Sequence, residues 1–343
     1  MTERPASISW LARATLVVVA LIGLAWVAWQ LSHVLLLLLG ALVIAVILIA
    51  SRDLIAKYTR LPKKWALAIS IVLLAALIVG FLLFTGNMLV AQFAELRERV
   101  PEAIDNIGNR FGIDVWGQLQ GIEGNWVSRA ARYAPDVVSA IGGIILILVG
   151  GVFLALDPMM YRNGLLQLLP IPRRPQVGDA LDNAGRALRL WLIGKVILMV
   201  IIGVITTIGL YALGVPSALA LGLLAGLLEF VPFVGPVLAF VPAGAVAFTT
   251  DETSFWWVLG FYVVVQQLEN NLLVPLIQQR TVELPPVLGL FAIVALGLLF
   301  GPLGVILGIP LTIVAMVLIK QLYIRDWLGD EVEIPGQKQD EEE

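Results

Sequence analysis

The chain has no cysteine and a single histidine, His33. The first absence excludes a disulfide framework, a thiol nucleophile and a cysteine metal site. The second excludes a histidine-built zinc site, and His33 reads as an interfacial residue at the end of the first apolar run. Charge is scarce too. Only 14% of the 343 residues are Asp, Glu, Lys or Arg, against about a quarter in a soluble domain. No segment matches the phosphate-cradling GxxxxGK[ST] loop, and no acidic triad suggests a phosphorylated-aspartate pump. ATP-driven transport within this chain is therefore not expected. Nor is an enzyme, since no Ser/His, paired-Asp or metal constellation is present.

What is abundant is apolar surface: 59% of residues are hydrophobic and the mean hydropathy is +0.94. The runs are continuous and rich in Leu, Ile, Val and Ala. A membrane β-barrel would show weak alternating segments of about ten residues. The fold class expected is an all-α polytopic membrane protein.

Ala14 to Trp29 is the first apolar run, read as a retained helix rather than a signal peptide because a second span follows after only Gln30 to His33. Val34 to Ala50 is the second span, short against the usual length of about 20 residues. The loop Ser51 to Lys64 carries Arg52, Lys57, Arg60, Lys63 and Lys64. That cation excess marks it, and the N-terminus two spans earlier, as cytoplasmic. Trp65 to about Val90 is the third span. It continues into 91–136, where Leu89, Phe93, Leu96, Val100, Ile104, Ile107 and Phe111 recur at helical spacing. This extracytoplasmic helical segment is expected to be a solvated connector or an oligomer contact.

Val137 to Leu156 is the fourth span, ended by Asp157-Pro158. Residues 137–190 thus comprise that span and a cationic segment, whose stretch after Pro175 reads as an amphipathic helix on the inner surface. Trp191 to Leu213 is the fifth span, with Lys195 one turn in and placed to snorkel to the headgroups. Residues 191–320 form the expected transport core, and 321–343 a cytoplasmic tail ending in the acidic run Asp340 to Glu343, expected to be disordered.

The core holds two related and awkward stretches. Leu213 to Ala247 is almost wholly apolar, yet its middle holds Glu229, Pro232, Gly235 and Pro236. About seventy residues on, Leu284 to Ala315 repeats the pattern, with Gly301, Pro302 and Gly304 at its centre. Glycine and proline disfavour a straight helix, and a carboxylate at membrane depth is expensive. Two topologies fit. Either 217–248 and 286–319 each cross, giving eight spans, or each turns at its centre and leaves on the same side, giving six spans and two re-entrant hairpins. Length favours hairpins: a helix from Ser217 to Glu229 reaches only about 20 Å, against a hydrocarbon core of about 30 Å. Hairpins also leave only Arg97, Arg99, Arg110, Arg129 and Arg132 outside among the Lys and Arg. The fifth span with the first hairpin, and the Phe255–Ile277 span with the second, then form an inverted repeat, as in many secondary transporters. The pairs Gly222/Gly226 and Gly304/Gly308 are read as close-packing points between hairpin arms.

Polar residues concentrate in two places: Glu229 at the first tip, and Gln266, Gln267, Glu269, Asn270 and Asn271 in the span between the hairpins. These are the candidate substrate- or ion-binding residues. Pro232, Gly235, Pro236, Gly301, Pro302 and Gly304 are the candidate hairpin tips.

The segments LGLLAGLLEFVPFVGPVLAFVP (221–242), LENNLLVPLIQQRTVELPPVLGL (268–290), GLLFGPLGVILGIPLTIVAMVLIK (297–320) and LALDPMMYRNGLLQLLP (154–170) resemble the autoinducer-2 exporter-like permease family. Members often carry Asn or another polar residue where Glu229 stands, and His-Pro where Pro285-Pro286 stands. The resemblance implies a permease of the prokaryotic plasma membrane. It implies a cargo such as a small signalling molecule, or, as in members similar to cation/proton antiporters, Na+ exchanged for H+. A non-transporting scaffold is a further alternative. No cofactor beyond coupling H+ or Na+ is expected. The expected partners are a small solute, the lipid bilayer and further copies of the chain, and no nucleic acid.

Overall fold

The computed structural model describes residues 30–80, 142–250, 252–278 and 284–337, with a few isolated positions nearer the N-terminus and Leu83. The expected first span, the 91–136 segment and the acidic run at 340–343 lie wholly or mostly outside them. Among the described residues there is no strand. The helices are α1 (Ser32–Thr59), α2 (Lys63–Gly80), α3 (Gly142–Leu156), α4 (Pro158–Gln167), α5 (Arg174–Ala212), α6 (Ala218–Leu228), α7 (Val234–Thr250), α8 (Glu252–Leu268), α9 (Pro286–Phe300) and α10 (Pro302–Leu318). Among the described residues, four helical stretches are long and apolar enough to cross a membrane: α1, α2, Ile171–Ala212, and α10 with its continuation to Leu328. The bent pair α3–α4 makes a fifth.

Three boundaries differ from the sequence reading. α1 is not short. It runs 28 residues, through the expected cationic loop to Thr59, and ends only where Arg60 turns left-handed with φ 56°. Good helix formers such as Leu54, Ala56 and Lys57 carry it on, and Pro62 lies just beyond. The expected surface helix after Pro175 is not separate from the fifth span. Both belong to the 39-residue α5, since nothing between Gln176 and Trp191 breaks the backbone ladder. The third concerns the C-terminal part. α10 continues as π-type helix to Leu328, and Ile334 is 2% exposed, seated among Ala184 and Ala187 of α5 and Ile309, Ile313 and Val317 of α10. Gly336 has φ 81° and rests against the α5 backbone, where its carbonyl accepts from Arg186 Nε at 2.8 Å. The tail is therefore docked up to this point.

Other expectations coincide with local chemistry. Asp157 caps α4, its carboxylate accepting from Met160 N at 3.1 Å, and Pro158 occupies the first turn. The chain bends by 89° there. At the end of α5, Gly214 takes φ 72° and Val215 N donates to Leu210 O, a Schellman-type close. Gly150 and Gly151 of α3 let α1 approach closely, with Ala41 and Ile44 where side chains would stand.

Each glycine/proline segment folds back on itself as a helical hairpin. In the first, Ala218 and Leu221 at the start of α6 share a cluster with Ala243 and Ala247 near the end of α7. The turn between them, 229–233, is tight: a Cβ on Gly235 would collide with the Leu228 carbonyl, and Phe233 is held at φ 66°. In the second, Gly304 lies on the Leu296 carbonyl, Gly308 on Ile293, and Gly289 against Ile309. Gly301 supplies the turn with φ 63°, ψ −146°, a region open essentially to glycine. α6 has 11 residues and α9 has 15, so they reach about 16 and 22 Å.

The pair Gly304/Gly308 packs between hairpin arms, as its spacing suggests. Gly222/Gly226 does not. Those glycines face α5, where a Cβ on Gly226 would stand 2.6 Å from Met199 O and one on Gly222 would strike Thr207. Gly203 of α5 completes the contact, leaving 3.3 Å between its own missing Cβ and Gly222 O. The hairpin is thus seated backbone-to-backbone on α5, which fixes how deep its tip reaches.

Candidate functional site

The α5–α6 contact brings two charges together. Lys195 of α5 and Glu229, the residue that closes α6, are 7% and 1% exposed. Lys195 Nζ donates to Glu229 Oε1 at 2.7 Å. The expectation of a snorkelling lysine therefore fails. Its place one turn into the apolar run suggested reach to the headgroups, but the first hairpin covers that face of α5 and offers a carboxylate instead. Nothing in the spacing of residues 195 and 229 announced the pair.

Glu269 enters from the third side. α8 passes into a π-type turn at Glu269–Leu273 and regains α geometry at Val274–Gln278. Its cause is local. Pro275 has no N–H and its ring would meet the carbonyl one turn back, so the helix widens, and Val274 N reaches Glu269 O instead. Glu269, the first residue of the widened turn, is 6% exposed. Gln266 Nε2 donates to its Oε2 at 3.2 Å. Its side chain faces the same small cavity as Glu229. Glu229 Oε2 is fully buried and receives no hydrogen bond.

Glu229, Glu269 and Gln266 line one small cavity with Thr206 of α5, Pro236 of α7 and Tyr262 of α8. The free space is about 10 Å³, roughly what one water needs. This conformation can admit a proton, a water or a bare ion, and a larger solute only after the hairpin or α8 moves. Among the described residues no group of three His, Asp or Glu side chains is placed to hold a metal ion.

The remaining sequence candidates fall elsewhere. Gln267, Asn270 and Asn271 are exposed on the other side of α8, where Asn271 Nδ2 donates to Gln267 Oε1 at 3.0 Å. Pro232, Gly235 and Pro236 form the first tip, and only Pro236 touches the cavity. Gly301, Pro302 and Gly304 form the second tip, which supplies no group to it. Both tips pack against one apolar cluster instead. Phe230 of the first shares a cluster with Phe300 and Leu303 of the second, together with Leu188 and Leu192 of α5. Trp191 stands edge-on to Phe230 at 5.8 Å.

A family model described as AI-2E family transporter matches residues 16–324 of this chain. The protein YrrI of Bacillus subtilis (strain 168) is 30% identical over 166 residues, 48% of this chain and 47% of that protein. The AI-2 transport protein TqsA of Escherichia coli (strain K12) is 27% identical over 227 residues, 64% of each. PerM of the same organism is 26% identical over 208 residues, 57% of this chain and 59% of its own. The aligned stretches thus span about half to under two thirds of these relatives.

Proposed function

The chain belongs to the AI-2E transporter family, and on that premise we propose that it is a secondary transporter of a small polar solute, working by alternating access at the Glu229–Glu269 cavity. The observation that carries this reading is the trio Lys195, Glu229 and Glu269, withdrawn from solvent where the first hairpin meets α5 and the π-type turn that follows α8. Ionisable groups at such depth are costly and face the interior or a pathway, and irregular backbone is tolerated there only inside protein or beside a cavity. As a scaffold, the chain would have no use for an unsatisfied carboxylate oxygen beside a second carboxyl group.

In this reading the two helical hairpins re-enter the membrane, the chain crosses six times, and α5–α7 and α8–α10 form an inverted repeat. The 11 residues of α6 are too few for a core of about 30 Å. Both termini are cytoplasmic in a prokaryotic plasma membrane. The relative TqsA is named for AI-2 transport, and a small polar signalling solute of that kind is the cargo class this reading favours.

A second reading, exchange of Na+ for H+, is favoured by the carboxylate pair itself. One proton shared between Glu229 and Glu269 would give Oε2 its missing donor, and its loss would open a seat for a cation. Solute counterflow in proteoliposomes, with sodium and proton gradients imposed separately, tests both. Solute flux driven by either gradient supports the first reading, sodium–proton exchange without solute the second. No flux of either kind refutes both.

A further inference from the structure

Lys195 is bonded to Glu229, a lining residue of the cavity, without lining the cavity itself. Its ammonium holds Oε1 of Glu229 at 2.7 Å, while Oε2 of the same carboxylate is buried without a donor. A carboxylate built only to bind cargo would be left bare whenever cargo left. Here a side chain of α5, the helix on which the hairpin is seated, already fills half of that seat. Charge counting shows what this accomplishes. With a proton between Glu229 and Glu269, the Lys195, Glu229 and Glu269 set is neutral. Without the lysine it carries a negative charge that must travel through apolar surroundings. The lining sets Ile202, Ala225, Ala239 and Val265 beside three uncharged polar side chains, Thr206, Tyr262 and Gln266, and holds no cation to neutralise it.

We infer that Lys195 is the tethered counter-ion of the empty transporter: its ammonium neutralises Glu229 when the site is unloaded, so that the first hairpin can change the side it faces without cargo, and it withdraws when cargo takes the seat. The inference rests on the alternating-access reading above. It makes Lys195 a positioning residue acting through Glu229, and it assigns it to the return of the empty protein rather than to binding. An arginine in its place keeps the charge on a longer, planar head. A methionine keeps the length and loses the charge.

The absence of cysteine makes the test direct. Val231, in the turn beside Glu229, is replaced by Cys in the full-length chain, with a membrane-impermeant methanethiosulfonate as probe and no solute added. Labelling is followed in spheroplasts, which expose the outer face, and in inside-out vesicles, which expose the inner. With Lys195 present, the thiol is expected to react from both faces. Adding Lys195→Met is expected to lower the rate from one face by about a hundredfold, the population cost of a lone charge at membrane depth. Lys195→Arg is expected to restore much of it. The double change Lys195→Met with Glu229→Gln, which deletes both charges, should restore reaction from both faces, although its lost packing is as great. Rates in Lys195→Met within about twofold of the parent from both faces would overturn the inference, as would a double variant as one-sided as the single. Should the parent thiol react from one face only, the alternating-access reading fails, and the role of Lys195 with it. If Lys195→Met does not reach the membrane, the Arg and double variants decide, because each keeps the site balanced.

Discussion

Lys195 on the fifth expected span and Glu229 at the first hairpin tip, 34 positions apart in sequence, meet at 2.7 Å with both side chains almost fully buried. Such a pair contributes little net stability beside an apolar equivalent, but removing one partner strands a charge and costs about 3–5 kcal/mol. Glu229→Gln and Lys195→Met should each lower the melting temperature of the detergent-solubilised protein sharply. The double variant should recover most of the loss. A thermal-shift double-mutant cycle with additive losses would contradict a direct pair.

Glu269 should matter to coupling more than to folding. Its partner Gln266 lies on its own helix, so Glu269→Gln keeps hydrogen-bonding capacity while removing an ionisable group. Net flux driven by a proton or sodium gradient is expected to fall at least about tenfold, as for loss of an acid–base group, with protein yield near normal. Full transport with unaltered pH dependence would remove Glu269 from the coupling step.

The topology can be decided chemically. With re-entrant hairpins, Thr250→Cys lies outside and Gln279→Cys inside. An impermeant maleimide should then label the first in intact cells and the second only after permeabilisation. Labelling of Thr250→Cys from the cytoplasm alone would require each segment to cross and the chain to have eight spans.

The seat of the first hairpin on α5 depends on three small residues. Gly226→Val would drive a branched side chain into Met199 O, already 2.6 Å from the position of a bare Cβ. A loss of about 3 kcal/mol or more is expected from this overpacking of backbone on backbone, read as loss of monodisperse protein on gel filtration. Gly185→Ala, in α5 with open space at its Cβ, should instead stabilise by about 0.5–1 kcal/mol.

Docking of the C-terminal segment predicts a cost for its anchor. Ile334→Ala removes a side chain 2% exposed and should destabilise by about 2–4 kcal/mol. Limited proteolysis after Leu328 should quicken in parallel. Unchanged proteolysis would mean that Arg186 and its bond to Gly336 O hold the segment without the isoleucine.

Part of this protein is determined by the sequence alone. Continuous apolar runs with charges confined to their ends decide an all-helical membrane chain, because backbone groups without water must bond within their own segment. Gly301 and Gly235 mark the two turns, because only a residue without a Cβ fits a left-handed bend or the face of the Leu228 carbonyl. Glu229 and Glu269 stand out by the cost of burying a carboxylate. Helix ends were less legible: α1 runs past Ser51, and α5 past Trp191, because a change in polarity along a helix does not break its ladder. What the tertiary structure decided is which groups meet. Helical periodicity states that Lys195 faces one side of α5. It does not state that a glycine contact at residues 203, 222 and 226 draws a hairpin onto that side. Nor does it show that Pro275 widens α8 and turns Glu269 inward while Gln267, Asn270 and Asn271 turn out. Those outcomes depend on contacts between residues far apart in the chain, where a lysine that the sequence places near the end of an apolar run becomes the ion-pair partner of a buried carboxylate.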